Sequence, residues 1–225
     1  MFADHLDLPA LDNCDRCPRL VSYLAQLPPK AGRSRDEYWN RPVAGFGDLQ
    51  AQVWLVGLAP GAHGANRTGR PFTGDGAGDF MYPLLYQAGF SNQAQVSAAD
   101  DGLKLDNLYI SNVVKCVPPD NKPSSSEFNC CRSYLQAEWQ QLSQVRVILP
   151  LGRDAFISVL RLLKEAGLIQ RLADYPFKHN VAYPLSNGQW LLASYHTSRY
   201  NVQTRRITPD LFVQVLDQAK ALLVD

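Results

Sequence analysis

Four short apolar runs, separated by loops and by stretches of helical periodicity, constrain this chain more than any other feature. They are Val53-Trp54-Leu55-Val56-Gly57-Leu58, Leu108-Tyr109-Ile110-Ser111-Asn112-Val113-Val114, Val145-Arg146-Val147-Ile148-Leu149-Pro150-Leu151 and Trp190-Leu191-Leu192-Ala193-Ser194-Tyr195. Runs of this length, rich in β-branched and aromatic residues, read as strands buried on both faces. Helical patterns occupy residues 126–141, residues 154–165 (Ala155, Phe156, Val159, Leu160, Leu163) and residues 209–223,. Such alternation implies right-handed βαβ crossovers. The expected fold class is therefore α/β: a three-layer αβα sandwich with a central four-stranded, mainly parallel sheet. Ligands of such folds bind where the carboxyl ends of the strands open onto loops. Residues 28–47, rich in Pro, Gly and Arg, read as an irregular covering segment, and residues 87–106 as a polar surface excursion,. With no repeat and no linker, residues 1–225 are expected to form a single domain,.

No apolar run approaches the ~20 residues a membrane span requires. The start Met1-Phe2-Ala3-Asp4-His5 lacks the basic and apolar parts of a secretory signal, so a cytoplasmic location is expected,. Lys and Arg number 22 against 21 Asp and Glu; a balance this even neither advertises nor excludes a polyanionic partner.

In a reducing compartment the five cysteines argue against a disulfide framework,. Cys14 and Cys17 form a C-x-x-C, and Cys116 with Cys130-Cys131 forms a second set far down the chain. Plain burial, zinc and an iron–sulfur cluster all remain open on spacing alone.

After the first apolar run comes a glycine-rich loop, Gly57-Leu58-Ala59-Pro60-Gly61-Ala62-His63-Gly64-Ala65-Asn66-Arg67-Thr68-Gly69-Arg70-Pro71-Phe72-Thr73-Gly74-Asp75. It is neither a Walker loop nor a dinucleotide fingerprint. Its glycines suit tight turns or a ligand close to the backbone, and Phe72 and Asp75 are spaced to place a ring and a carboxylate in one pocket. The second run leads into Asn112-Val113-Val114-Lys115-Cys116-Val117-Pro118-Pro119-Asp120-Asn121, and the fourth into His196-Thr197-Ser198-Arg199-Tyr200-Asn201.

In this order these segments resemble the uracil-DNA glycosylase superfamily. The two cysteine sets resemble its iron–sulfur branches, and G-L-A-P-G-A-H-G-A-N-R-T-G-R-P-F-T-G-D resembles the fifth, b-type family. The resemblance runs from Cys14 to the last helical segment. It implies a monofunctional enzyme that hydrolyses the N-glycosidic bond of flipped-out uracil in DNA, extending in this branch to hypoxanthine and xanthine, and leaves an abasic site for base excision repair. DNA carrying deaminated bases would be the partner and the chain would act as a monomer. An iron–sulfur nucleic-acid-binding module without catalysis, and an unrelated zinc-stapled nucleotide hydrolase, are the competing readings.

Laid on this chain, the resemblance implies that Phe72 stacks on the extruded base. Asn112 would read its Watson–Crick edge, with Gly57 and His63 also on the substrate side. His196 would bond the uracil O2 as negative charge develops there. Asp75 would position water or stabilise the positive sugar, and Asn121 would add a contact to water or base. Arg67, with Asn66 beside it, is implied to touch DNA. So are Ser198, Arg199, Tyr200 and Asn201, with Tyr200 as the wedge in the minor groove. Cys14, Cys17, Cys116 and Cys131 would hold a 4Fe-4S cluster, leaving Cys130 spare. Two residues depart from the family pattern: Thr197, where many relatives have proline, and Arg205, where b-type relatives often have glycine.

Overall fold

The computed structural model describes residues 5–8 and 10–224. The start of the chain, Met1 to Asp4, on which the expected lack of a secretory signal rests, lies outside them. Its sheet has six strands: β1 (Phe46–Gly47), β2 (Val53–Gly57), β3 (Leu108–Asn112), β4 (Val147–Pro150), β5 (Val181–Pro184) and β6 (Trp190–Ala193). They lie in the order β1-β3-β2-β4-β6-β5. The expected four strands form the parallel centre, with β2 paired to both β3 and β4, and β4 to β6. The count of four is corrected by two antiparallel edge strands. β1 is two residues long. β5 is only half-buried and ends on Pro184, so neither carries a strong strand pattern,.

Among the described residues there are seven α-helices: α1 (Pro18–Gln26), α2 (Ala65–Thr68), α3 (Gly76–Gln87), α4 (Ser125–Gln141), α5 (Arg153–Glu165), α6 (Arg199–Gln203) and α7 (Pro209–Ala221). Local chemistry fixes their starts. Ser124 caps α4 in a capping box with Glu127, and Thr208 caps α7 ahead of Pro209,. One core, with Trp54, Tyr109, Leu135, Ile148 and Phe156, lies between the sheet and α1, α4 and α5. The other, with Leu55, Met81, Leu85, Leu149 and Phe212, lies under α3 and α7. Each strand of the centre feeds alternate side chains to the two cores, which explains why its runs are apolar throughout. The chain leaves β2 for β3 on one side of it and later returns to β4 on the other. That reversal opens a crevice at the carboxyl ends of the strands.

Candidate active site

A cavity of about 610 Å³ occupies this crevice, lined by residues that include His63, Phe72, Asp75, Asn112, Asn121, His196, Ser198 and Arg199. Segments far apart in sequence thus meet at one place. A second cavity of about 370 Å³, walled by Leu8, Trp39, Phe46 and Arg70 among others, contains none of the candidate residues.

Asn112 ends β3 opposite Gly57, the last residue of β2. A Cβ on Gly57 would lie 2.3 Å from Asn112 Oδ1 and 2.6 Å from the Phe72 ring. Gly57 therefore serves by making room, and it is not part of the cavity wall. Asn112 is 2% exposed, yet its amide has no hydrogen-bond partner among the described residues and neither amide atom is sealed off. A buried amide left open in this way keeps a donor and an acceptor for a polar partner.

Phe72 is buried with φ +53°, a conformation unusual for a bulky residue,. Holding it there costs on the order of 1–3 kcal/mol, and the loop supplies the restraint. Tyr82 Oη donates to the Pro71 carbonyl (3.0 Å), Thr68 Oγ1 donates to that of Thr73 (3.1 Å), and Gly78 packs so tightly on the Phe72 carbonyl that a Cβ would sit 1.7 Å from it. The Phe72 ring lies 5.9 Å from that of His196, tilted by 31°.

Asp75 is the N-cap of α3: Oδ1 accepts from Ala77 N (3.0 Å) and Gly78 N (3.2 Å). Its Oδ2 has no partner among the described residues and faces Gly61 and Gly64, whose missing side chains leave it space; a Cβ on Gly64 would be 2.2 Å away. One carboxylate oxygen is structural and the other is free.

His196 follows β6. Its Nδ1 is buried without a partner, whereas Nε2 is not enclosed. Burial pushes the imidazole down to about 4, so the ring is neutral at physiological pH,. An unpaired buried N–H is the less tolerable arrangement, so the proton belongs on Nε2. Two supports were not legible in the sequence. Gly152 (φ +88°) lets the turn into α5 approach the His196 side chain, where a Cβ would lie 3.2 Å from it. Asn201 Nδ2 donates to the His196 carbonyl (2.8 Å).

Other candidates fall into place less evenly. His63, exposed on the cavity rim, bonds Tyr38 Oη through Nδ1 (2.9 Å). Tyr38 Oη also accepts from Lys30 N (3.0 Å), which fixes the phenol beside the ring. Asn121 is exposed on the wall with φ +54°. Arg67 Nε donates to the His63 carbonyl (3.2 Å). Asn66 is wholly buried on Asn40 and the Ala62 carbonyl, which corrects its expected reach to DNA. Ser198 caps α6, where Arg199 lines the cavity and Tyr200, 71% exposed, protrudes. Asn201 is committed to His196, and so supports the site from within. Thr197 is buried with its hydroxyl unpartnered. Arg205 has φ +56°, the left-handed region that glycine adopts freely,.

All five cysteines line one small cavity, together with Leu20 and Tyr134. Burial, and then the neighbouring thiols Cys131, Cys14 and Cys17, push Cys116 up to about 12; burial and a hydrogen bond with Cys130 do the same to Cys17. Cys131 Sγ accepts from Lys115 N (3.3 Å), whereas Cys130 is less buried and lies against the Arg16 carbonyl. Among the described residues no three His, Cys, Asp or Glu side chains are arranged to hold a single metal ion. A single ion needs its thiolates drawn to bonds of about 2.3 Å; a polynuclear cluster spreads its ligands over a larger body, and the thiol-only donor set suits it chemically.

The carboxyl edge of the parallel sheet thus gathers an aromatic ring, an open amide, a free carboxylate oxygen and a neutral imidazole, a set suited to a flat polar ligand. Residues 44–220 match the family model for the uracil DNA glycosylase superfamily, and the chain belongs to that superfamily. Within it, the chain is 47% identical over 216 residues to the type-5 uracil-DNA glycosylase of Thermus thermophilus, covering 94% of each. It is 40% identical over 211 residues to the type-5 enzyme of Pyrobaculum aerophilum (94% of this chain, 89% of the relative) and 41% identical over 212 residues to that of Mycobacterium leprae (93% and 91%). No helix among the described residues is long and apolar enough to cross a membrane.

Proposed function

We propose that this chain is a monofunctional DNA glycosylase that removes uracil from DNA by hydrolysis and leaves an abasic site. The relatives named type-5 uracil-DNA glycosylase support the activity. The observation that carries the reading is the open amide of Asn112, at the buried end of β3, sharing one cavity with Phe72, the free Oδ2 of Asp75 and His196.

The base must first leave the helix, at a cost of a few kcal/mol. Stacking on Phe72 offsets about 1–3 kcal/mol of that, and Tyr200 fills the space vacated in the duplex. The Asn112 amide then offers a donor and an acceptor to the uracil edge. As the C1′–N1 bond breaks, its electron pair moves onto the base and negative charge gathers at O2. The neutral His196 donates there through Nε2, and this hydrogen bond is stronger in the transition state than in the ground state. Asp75 Oδ2 faces the positive sugar and holds the water whose oxygen bonds C1′. The water's proton ends on the carboxylate or the departing base. Lys30 is the one lysine on the cavity wall among the described residues, and it is exposed at the rim. Hydrolysis without a covalent amine intermediate therefore suits the site.

Hypoxanthine and xanthine share with uracil a carbonyl where the parent base carries an amine, and the same amide donor reads it; they are further substrates in this proposal. A 4Fe-4S cluster would be held by Cys14, Cys17, Cys116 and Cys131, and supported by the Lys115 N–H on Cys131. When bound it would supply a cross-link among the N-terminal segment, the loop after β3, and α4. The chain acts as a cytoplasmic monomer.

The test incubates the purified chain with an end-labelled duplex holding one uracil, and compares cleavage with and without hot alkali. Cleavage at the uracil only after alkali is expected. A chain that carries iron and binds the duplex, yet releases no base, would show the binding-module reading to be right; cleavage without alkali would contradict the monofunctional mechanism.

A further inference from the structure

We propose that Asp101, in the polar excursion between α3 and β3 and outside the catalytic cavity, is a positioning residue for Phe72 and Asp75, acting through Arg70. The inference rests on the uracil-excising reading of the cavity. Arg70 is 4% exposed. Its guanidinium donates to both oxygens of Asp101, Nη1 to Oδ1 (2.8 Å) and Nη2 to Oδ2 (2.7 Å), while Nε donates to Thr73 Oγ1 (3.0 Å). The same carboxylate accepts from Ser97 N (2.7 Å), Ala98 N (3.3 Å) and Leu103 N (3.1 Å). Asp101 thus organises its own loop into a rigid receptor, and that receptor grips the side chain two residues before Phe72.

The grip falls beside a strained residue. Phe72 adopts φ +53°, Gly74 follows at +83°, and Asp75 must arrive with Oδ1 on the first turn of α3 and Oδ2 free. Without an anchor before it, Phe72 would relax toward negative φ, and its ring and the Asp75 cap would leave their places together. A planar bidentate pair fixes orientation as well as distance, which a point charge cannot do. Burial would raise Asp101, but Arg70 and the Ser97 and Leu103 amides more than offset it, and the carboxyl is held down at about 2.

The experiment compares Asp101→Asn with the unaltered chain in two ways. Amide hydrogen exchange reads the Asp75 cap directly. Faster exchange at Ala77 and Gly78 by about tenfold or more, with α7 amides unchanged, is expected; unchanged protection at these two amides would overturn the proposal. The second arm is a double-mutant cycle on single-turnover uracil release. Asp101→Asn should slow release about tenfold in the unaltered chain and less than about threefold in the Phe72→Ala background, because coupled residues are not additive. Equal slowing in both backgrounds would show a merely structural role and overturn it. Arg70→Lys, which keeps the charge and loses the fork, should reproduce both effects and serves if Asp101→Asn does not fold. An unaltered chain that releases no uracil would refute the reading of the cavity, while the exchange arm would still decide the clamp.

Discussion

Two regions of this molecule, the base cavity and the cysteine pocket, treat their polar groups in opposite ways. At the base cavity, the Asn112 amide and Asp75 Oδ2 have no partner among the described residues and are left open. Beside the cysteines, charged and aromatic side chains are tied to one another. Arg19 makes a bidentate pair with Glu127, with both contacts at 2.7 Å, Glu127 also closes the α4 capping box, and Arg16 lies over the Tyr134 ring at 4.3 Å. Buried polar groups are normally satisfied. The open groups here share one cavity, whereas the ion pair and the capping box tie α1 to the start of α4.

The sharpest way to break this contrast is at His196. His196→Ala should slow single-turnover uracil release by on the order of 10²–10³, the usual loss when one charge-stabilising donor is removed. Rapid-quench measurement at saturating enzyme gives the rate, and an unchanged value would remove His196 from the mechanism. Phe72→Ala should follow with a loss of about 1–3 kcal/mol in productive base binding, read by comparing release from paired duplex with release from single-stranded DNA. Equal activity on both would deny the stacking role.

Cys14→Ser addresses the cysteine pocket. The variant should lose iron and show a lower thermal midpoint and weaker duplex affinity, while base release from substrate already bound stays within about threefold. Iron analysis, calorimetry and single-turnover rates check this together. Intact fold and DNA affinity after iron loss would end the support role. A smaller effect is expected at Arg199, which lines the cavity without a carboxylate partner. Arg199→Gln should lower the slope of log affinity against log salt by about one, as one phosphate contact does.

The last prediction is a flat line. Because burial holds His196 at about 4, the folded protein lacks a proton that the unfolded chain takes up near 6.5. Folding stability attributable to this residue therefore falls as pH drops from 6.5 to about 4. In the folded protein the ring is neutral around pH 6.5, so release rates should show no inflection near pH 6.5 that His196→Ala abolishes. Such an inflection would mean that the imidazolium does the work.

Much of this was legible in the sequence because the strands of the parallel centre are buried on both faces and declare themselves as apolar runs. The edge strands were not, since β1 has only two residues and β5 alternates too little. Among site residues, Phe72, Asp75, Asn112, Asn121 and His196 stood in recognisable segments and meet in the cavity. What sequence could not show is long-range geometry. Gly152 matters because of the side chain it lets approach, Asn201 because its amide turns inward to His196, and Arg70 because its partner lies 31 residues on. The Asp75 cap was readable in principle from an Asp followed by Gly-Ala-Gly at a helix start. Arg205 is not such a case, since its left-handed backbone, φ +56°, is not announced by an arginine,.

The most direct test of the central claim is a crystal structure of the Asp75→Asn chain, slowed in chemistry, bound to a duplex with one uracil. The account predicts the base outside the helix, its face on Phe72, its edge hydrogen-bonded to the Asn112 amide, and its O2 within about 3 Å of His196 Nε2. A base seated in the cavity with Asn112 and His196 still unbonded, or one left in the helical stack, would contradict it.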